Sequence, residues 1–307
     1  MKDLLIIGGG PAGFSAGVYA ARKRLTATLV TSEVGGQSTV SEGIENWIGT
    51  VKISGADMAT AFRTHLDAYK EDIVDLQEGE KVTHLEKTSN GFKATTESGT
   101  SIEAKSVLIA SGASRRKLAI PSAEQFENKG LTYCASCDGP LFADQDVAVV
   151  GGGNAGLETS LQLLAYCKSV TLIHRHDALK GDAITIEKLQ SHANFKTICK
   201  SEPSEIVGDK FVTGMKVKHR DTGAETELTV EGIFVEIGVV PSTDFAKKLV
   251  ELDEIGRIVT DARNQHTSVD GVWAAGDCTD ELYHQNNIAA GDAVKALEDI
   301  YQWVKKH

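Results

Sequence analysis

The residues best suited to chemistry lie near the middle of the chain, in "LTYCASCDGPLF" (131–142). Two residues separate Cys134 from Cys137, a spacing typical of half a zinc site or of a redox dithiol. The sequence has no second Cys-x-x-Cys pair to complete a zinc site, although His174 and His176 could supply ligands. The pattern therefore favours a redox-active disulfide and predicts no metal.

Asp138 follows the cysteine pair directly. Thiol–disulfide exchange needs a proton donor for the thiolate that leaves, and a carboxylic acid can provide it. Asp138 is therefore predicted to be the acid that works with the two thiols. The remaining cysteines stand apart from the pair and are predicted to be ordinary buried thiols: Cys167, Cys199 and Cys278.

A glycine-rich loop follows the first apolar segment, with the spacing Gly8-x-Gly10-x-x-Gly13. In a strand–turn–helix setting, such glycines permit a tight turn, a close approach of pyrophosphate and close helix–strand packing. The phosphates would lie at the helix N-terminus. The acid expected after the next strand is ambiguous, since Thr31 holds the obvious place and Glu33 lies two residues further on.

A second loop, "GGGNAG" (151–156), has the same spacing and follows another apolar strand. The next strand ends in "HRHDALK" (174–180), which lacks the acid that would hold a free 2′-hydroxyl. Arg175, His176 and Lys180 suit the 2′-phosphate of NADP instead, although a solvated basic turn would look the same.

Two dinucleotide sites and one dithiol predict a chain of electron carriers. A nicotinamide delivers hydride, which a thiol pair accepts poorly without a mediator. A flavin can accept hydride and pass electrons to a disulfide. The predicted cofactors are therefore FAD in one loop and NADH or NADPH in the other.

The pattern around each loop is repeated along the chain. Each loop lies in a strand–helix–strand unit, and a β-hairpin and an apolar strand ending in glycine follow. The hairpins are predicted to turn at 98–99 and 221–223. The C-terminal part adds a strand at 271–280 and a closing helix over 286–306, whose predicted buried face contains Val294, Leu297, Tyr301 and Val304.

Composition limits the partners and the compartment. The 307 residues are enough for two domains, and the net charge of −11 argues against nucleic acid. No apolar stretch approaches the ~20 residues that cross a bilayer, and the run at 4–7 is too short for a signal peptide. Five sparse cysteines, an odd number, do not make a disulfide framework, which fits a reducing compartment. A cytoplasmic protein with neither a nucleic-acid nor a membrane partner is predicted.

Taken together, the motifs closely resemble the low-molecular-weight thioredoxin reductases of bacteria and archaea, nearly end to end. The flavoprotein half of alkyl hydroperoxide reductase is similar too, but its extra N-terminal thioredoxin-like module is not expected here. Related ferredoxin–NADP reductases lack the thiol pair. The likeness is carried by "GGGPAG", "GGQ" (35–37), "ENW" (45–47), "CASCD", "GGGNAG" and "AAGD" (274–277).

This resemblance implies an α/β fold of two Rossmann-like, three-layer ββα domains, the second inserted in the first. Residues 1–114 and 243–307 would form the FAD domain, and residues 115–242 the nicotinamide domain that carries the cysteines. A homodimer is implied, with the inserted domain rotating about breaks near 112–117 and 239–245.

The resemblance also implies the activity and the site. Electrons would pass from NADPH through FAD and the Cys134–Cys137 disulfide to thioredoxin or a thioredoxin-like protein. Cys137 would be the flavin-side thiol, Cys134 would attack the partner disulfide, and Asp138 would shuttle protons. FAD contacts would fall on Gly8, Gly10, Gly13, Glu33, Gly36, Gln37, Asn46, Gly112, Gly276, Asp277 and Gln285. Nicotinamide-dinucleotide contacts would fall on Gly151, Gly153, Asn154, Gly156, Arg175, His176 and Lys180.

Two segments depart from the family pattern. NADPH-using members read His-Arg-Arg-x-x-x-Arg where this chain has His176 and Lys180. Lysine lacks the bidentate fork of arginine, and a neutral histidine adds little charge, so NADPH affinity should fall by ~1–3 kcal/mol. NADH, ferredoxin, a deazaflavin or a second flavin is then an alternative donor, and a non-enzymatic redox sensor is a further alternative. "YHQNN" (283–287) replaces the usual Tyr-Arg-Gln, with no predicted consequence.

Overall fold

The computed structural model describes every residue except Glu42 and Glu45, and its description excludes the side chains of Val40, Ser136 and Cys137. The described residues form two compact units, Met1–Ser114 with Val240–His307 and Arg115–Val239. The inserted unit therefore ends at Val239, slightly before the predicted break after residue 242. In the described part of the chain, no helix is long and apolar enough to span a membrane.

The first unit is built on a mainly parallel sheet. Its strands are β1 (Lys2–Ile7), β2 (Ala27–Thr31), β3 (Val74–Glu78), β4 (Val82–Thr88), β5 (Gly91–Thr96), β6 (Ser101–Ile109) and β17 (Val272–Ala274). Their order is β3-β2-β1-β6-β5-β4, and β17 lies beside β6. The helices are α1 (Pro11–Arg22), α2 (Gly55–Lys70) and α6 (Asn286–Val304). β1 is buried from Leu4 to Ile7, as expected of a parallel strand covered on both faces.

Helix α6 forms where the sequence predicts it, and three of the four predicted residues contact the core, with Tyr301 and Val304 at its margin. Leu297 is fully buried, whereas Val294, Tyr301 and Val304 are only half-buried. The centre of the buried face consists mainly of alanines and Ile300, and it packs against the alanine-rich α1. Small side chains let two helices approach closely, so the largest apolar residues do not mark the contact.

The second unit contains a parallel sheet and a separate antiparallel sheet. The parallel strands are β8 (Leu131–Thr132), β9 (Asp146–Val150), β10 (Ser169–Ile173), β11 (Phe195–Ile198) and β15 (Gly232–Val235), in the order β11-β10-β9-β15-β8. The antiparallel strands are β12 (Ser201–Gly208), β13 (Val212–His219) and β14 (Glu225–Thr229), in chain order. The helices are α3 (Ala135–Asp138), α4 (Asn154–Leu163) and α5 (Ala183–Gln190).

The predicted repeat is present in both units. β1 pairs with β2 in parallel through the first glycine loop and α1, and β9 pairs with β10 in the same way through the second loop and α4. Both predicted hairpins also form. The two hairpins join different sheets: β5 extends the main sheet of the first unit through β6, whereas β13 and β14 belong to the separate antiparallel sheet.

The chain passes between the units within two short strands, β7 (Ala113–Arg115) and β16 (Val239–Pro241), which pair with each other. Both strands lie in the segments predicted as breaks. A rotation about them remains a prediction.

Candidate active site

The glycines of the first loop fall into two structural classes. A Cβ added at Gly8 would overlap the carbonyl oxygen of Ala110, and one added at Gly13 would overlap that of Gly8. Gly8 also has φ of 118°, in the region that favours glycine. A Cβ added at Gly10, in contrast, would meet nothing within 4 Å. Packing therefore requires Gly8 and Gly13, whereas Gly10 faces open space that a ligand could use.

The second loop repeats this arrangement. A Cβ at Gly151 would overlap the carbonyl oxygen of Glu236, and one at Gly156 would overlap that of Gly151. At Gly153 the nearest atom to an added Cβ would be Lys180 O, at 3.9 Å. Again the outer glycines serve packing, and the middle one leaves room in front of the backbone.

The helices that begin at these loops lack side-chain caps. Among the described residues, no side chain caps the N-terminus of α1 after Gly10 or that of α4 after Gly153. Helix α2 is capped by Ser54 and α5 by Asp182, each accepting a hydrogen bond from a first-turn N–H. Uncapped N–H groups at the positive end of a helix suit the phosphates of a dinucleotide.

The two candidates at the end of β2 differ in their local hydrogen bonds. The Thr31 hydroxyl donates to Glu33 O over 2.6 Å and accepts from Glu33 N over 3.2 Å. Thr31 is buried and its hydroxyl is engaged, whereas Glu33 is exposed. Of the two residues, Glu33 is the one whose side chain is available to a ribose hydroxyl.

Predicted FAD residues from distant segments meet near the N-terminus of α6. The Asn46 side-chain amide donates to Gln285 Oε1 over 2.9 Å, and Asn287 Nδ2 donates to Asn46 O over 2.6 Å. Sequence reasoning identified Asn46 and Gln285 but missed the bond from Asn287. Glu45, which belongs to the quoted "ENW" motif, lies outside the described residues.

The other residues of the "YHQNN" departure also have contacts. Ser38 Oγ and Asn286 Oδ1 are 2.9 Å apart, which ties the start of α6 to the segment after the predicted Gly36 and Gln37. His284 Nδ1 lies 3.4 Å from Asp277 Oδ1. The substitution of the usual arginine therefore leaves a histidine beside a predicted FAD contact.

Of the remaining predicted FAD residues, Gln37 is exposed in the short 3-10 helix Gly36–Val40, and three are glycines with positive φ. Gly36, Gly112 and Gly276 have φ of 58°, 64° and 78°. Gly36 lies against Gly10, and Gly276 fits between the side chains of Ala12 and Ala289. Gly112 precedes β7, and a Cβ there would meet nothing within 4 Å.

The basic turn after β10 folds back on the second loop. Lys180 N donates to Gly152 O over 2.7 Å, and the side chain of Asn154 accepts a 2.8 Å hydrogen bond from Asp182 N. The structure thus brings together Gly153, Asn154 and Lys180, three of the residues predicted to contact the nicotinamide dinucleotide.

His176 lies among cations in this turn. Arg175 Nε donates to His176 Nε2 over 3.3 Å, and Arg220 Nη1 donates to Arg175 O over 3.2 Å. Partial burial, and then the charges of Lys180, Arg175 and Arg220, lower the pKa of His176. Sequence reasoning missed Arg220, which follows β13 and reaches the turn only through tertiary folding.

His174 contributes a buried donor next to the same loop. It is 7% exposed, and its Nδ1 accepts a hydrogen bond of 3.2 Å from Gly152 N. Burial lowers the pKa of His174, so the neutral ring carries its proton on Nε2. Nε2 is buried, and it meets the backbone of Ala178, an interaction that acts against burial by raising the pKa of the ring.

Cys134, in the second unit, is disulfide-bonded. A disulfide sulfur does not act as a zinc ligand, because metal binding requires the thiolate. The predicted role of Cys137 concerns a side chain outside the described part of the structure. Cys167, Cys199 and Cys278 are free thiols, and burial raises the pKa of Cys167 to about 11.

Asp138 is held close to the backbone of Cys134. Asp138 N donates to Cys134 O over 3.1 Å, which closes the turn of α3. The carboxyl oxygen Oδ2 of Asp138 accepts a hydrogen bond from the Thr132 hydroxyl. The structure therefore places an ordered acid one helical turn from a disulfide-bonded cysteine.

Comparisons with known proteins agree with this architecture. Thioredoxin reductase from Lactococcus lactis matches with a TM-score of 0.91 and 33% identity over 100% of both chains. Thioredoxin reductase from T. acidophilum matches with a TM-score of 0.86 and 36% identity over 98% of each chain. A relative in Staphylococcus aureus, named as a subunit of alkyl hydroperoxide reductase, is 41% identical over 302 residues. These residues are 98% of this chain but 59% of that relative's length.

The fold, the disulfide and these likenesses define the class of the protein as a disulfide oxidoreductase. The chain belongs to the pyridine nucleotide-disulphide oxidoreductase family, whose model matches residues 2–293. The predicted likeness to low-molecular-weight thioredoxin reductases is confirmed, as is the α/β fold of two Rossmann-like units. The family implies a flavin and a nicotinamide cofactor.

Proposed function

We propose that the protein is a flavin-dependent disulfide reductase that passes electrons from NADPH, through FAD and the Cys134–Cys137 pair, to thioredoxin or a thioredoxin-like protein. The observation that carries this proposal is the disulfide at Cys134 with Asp138 ordered beside its backbone. The two uncapped glycine loops supply sites for two dinucleotides.

FAD is assigned to the first unit. The open space at Gly10, the uncapped start of α1 and the cluster of Asn46 with Gln285 fit a large phosphate-bearing ligand. Glu33 and Asp277 would hold ribose and ribityl hydroxyls. FAD, when bound, accepts hydride and supplies two electrons to a disulfide.

The nicotinamide dinucleotide is assigned to the second unit. Its pyrophosphate would lie at Gly153 and the start of α4, where the N–H groups lack a side-chain cap. Arg175 and Lys180 would face the adenosine end. FAD and NADPH would thus be separate ligands of separate units.

The disulfide of the partner is reduced in two successive thiol–disulfide exchanges. The Cys134 thiolate attacks a partner sulfur, so a mixed disulfide forms and the partner's own disulfide breaks. Cys137 then attacks Cys134, the enzyme disulfide closes, and the second partner thiolate leaves. Two electrons pass from the enzyme dithiol to the partner, and Asp138 supplies a proton to a leaving thiolate.

The proposed function is tested by anaerobic titration of the flavin-loaded protein with NADPH and NADH, followed by turnover with an added disulfide. We expect the flavin to bleach and a disulfide dye or oxidised thioredoxin to be reduced repeatedly. If neither nucleotide reduces a flavin that dithionite reduces normally, the nicotinamide donor is wrong. A ferredoxin, deazaflavin or second-flavin donor would then replace it.

Replacing His176 by arginine is expected to lower the KM for NADPH by about tenfold at pH 7.5. The pKa of His176 is lowered, so at this pH the ring is neutral and cannot form a charge-assisted bond with a 2′-phosphate. Such a bond stabilises by about 1.5–3 kcal/mol. Steady-state kinetics with both nucleotides measures the change.

NADH, which lacks the phosphate, should show an unchanged KM in the same variant. His192→Arg provides the matched control, because it adds the same charge at an exposed position of the second unit. An equal gain for NADH and NADPH would show that the introduced arginine does not act through the 2′-phosphate.

A second candidate for the partner comes from the relatives named as subunits of alkyl hydroperoxide reductase. A partner of the peroxide-reducing kind would accept the same two electrons. Turnover with oxidised thioredoxin, compared with turnover with a peroxiredoxin disulfide, distinguishes the two partners. A ratio of kcat/KM of about tenfold or more, equivalent to 1.4 kcal/mol, assigns the preferred one.

The likeness to thioredoxin reductases also supports the proposal that the protein is a homodimer in the cytoplasm. Sedimentation of the flavin-loaded protein tests the dimer. A single species at the monomer mass, at micromolar concentration, would refute it.

A further inference from the structure

We propose that Thr132 is a positioning residue that orients the proton donor Asp138 against the dithiol segment. The inference deepens the proposed disulfide reductase function and rests on it. Neither the glycine loops nor the cysteine motif identifies this residue. The observation behind it is a single hydroxyl that contacts both ends of the segment from Cys134 to Asp138.

Thr132 is held firmly in the second unit. It is the last residue of β8, which pairs in parallel with β15 through Leu131–Ile233 and Thr132–Phe234. Leu131 is fully buried in the core, and Thr132 itself is 5% exposed. The hydroxyl is therefore attached to a buried sheet rather than to a mobile loop.

The donor and the acceptor in each of the two hydrogen bonds of the Thr132 hydroxyl can be assigned. Cys134 N–H can only donate, so the Thr132 oxygen accepts from it over 3.2 Å. The single hydroxyl proton then goes to Asp138 Oδ2. Since Oδ2 accepts this bond, the proton that Asp138 delivers during exchange would be carried by Oδ1.

A purely structural role for Thr132 would require only the hydrogen bond from Cys134 N. Such a bond forms a local turn that is common for serine and threonine. The second bond, to a carboxyl six residues away, goes beyond that turn. It fixes the side chain of Asp138 relative to the backbone of Cys134. An acid that reaches the reacting sulfur only after a rotation would transfer its proton more slowly.

Thr132→Val tests the inference, since it removes the hydroxyl while retaining the shape. With flavin-loaded protein, NADPH and oxidised thioredoxin, we expect kcat to fall about tenfold or more, with KM for thioredoxin within about twofold. Loss of a hydrogen bond to a charged group accounts for this magnitude. Thr132→Ser retains the hydroxyl and should restore most of the rate.

A double-mutant cycle with Asp138 distinguishes a positioning role of Thr132 from a purely structural one, because only a positioning role makes the effect of Thr132→Val on kcat depend on Asp138. If Thr132 acts through Asp138, Thr132→Val should cost less than about twofold in an Asp138→Asn background. Anaerobic reduction of the flavin by NADPH should be unchanged in the Thr132 variants, which also reports correct folding. Thr132→Ala repeats the cycle if the valine variant does not fold.

Thr267→Val is the matched control. Thr267 is also buried, and its hydroxyl donates to Val272 O over 2.9 Å in the first unit. This variant loses a comparable hydrogen bond without touching the dithiol segment, so kcat should be retained. Equal losses from Thr132→Val in the wild-type and Asp138→Asn backgrounds would overturn the inference. Wild-type protein whose flavin is reduced but which reduces no disulfide would instead overturn the proposed function.

Discussion

Replacing Cys134 by serine is expected to lower turnover with oxidised thioredoxin by roughly a thousandfold or more, because a hydroxyl is neither ionised at neutral pH nor able to form a disulfide. Reduction of the bound flavin by the nicotinamide nucleotide should proceed at the wild-type rate. The variant thereby separates reduction of the flavin from reduction of thioredoxin, because Cys134 is not part of the loops proposed to bind the nucleotides. Stopped-flow absorbance of the flavin and steady-state thioredoxin reduction measure the two rates.

Cys199→Ser is the control for this experiment. Cys199 is a free, half-buried thiol in the same unit, and its pKa is raised by burial and by Asp177. A raised pKa means little thiolate at pH 7, so this variant should keep full turnover. Turnover that survives in Cys134→Ser but falls in Cys199→Ser would mean that the exchange uses a different thiol.

The second large effect is expected from a pair of alanine substitutions in the first glycine loop. Gly10 has φ of −81°, which alanine tolerates, and its added Cβ would meet no protein atom within 4 Å. Gly10→Ala should therefore fold normally but bind FAD about tenfold or more weakly, since overpacking costs typically about 1–3 kcal/mol and about 1.4 kcal/mol corresponds to tenfold.

Gly13→Ala should behave in the opposite way. Its Cβ would overlap the carbonyl oxygen of Gly8, so the helix–strand contact itself must open, at a cost of roughly 3 kcal/mol in the free energy of unfolding. Thermal unfolding of flavin-stripped protein and FAD titration by fluorescence separate the two effects. A flavin-free Gly10→Ala protein that unfolds as early as Gly13→Ala would show that Gly10 serves packing and not the ligand.

Much of the fold could be predicted because its signals are local in the chain. Glycine spacing, the strand–helix–strand repeat and the turn residues of both hairpins each reflect a requirement of the nearby backbone. The centre of the buried face of α6 could not be predicted, because its contact with α1 depends on alanines rather than on large apolar residues. The use of each hairpin, in the main sheet or in a separate one, depends on long-range pairing.

The candidate site shows the same division. The middle glycines and the dithiol segment are recognisable from spacing alone. The bond from Thr132 to Asp138 depends on the local turn geometry, which spacing alone does not reveal, and the approach of Arg220 to the basic turn arises from a tertiary contact. The engagement of the Thr31 hydroxyl, which leaves the Glu33 side chain exposed, could be read only from hydrogen-bond geometry. The assignments of individual residues to FAD and NADPH remain predictions.

The bare starts of α1 and α4 have a consequence for the stability of the protein. If phosphates complete these helices, ligand binding and folding are linked, and a ligand at about a hundred times its Kd adds about 2.7 kcal/mol to stability. Under the proposed function, protein without bound dinucleotides would then unfold more readily than the loaded protein.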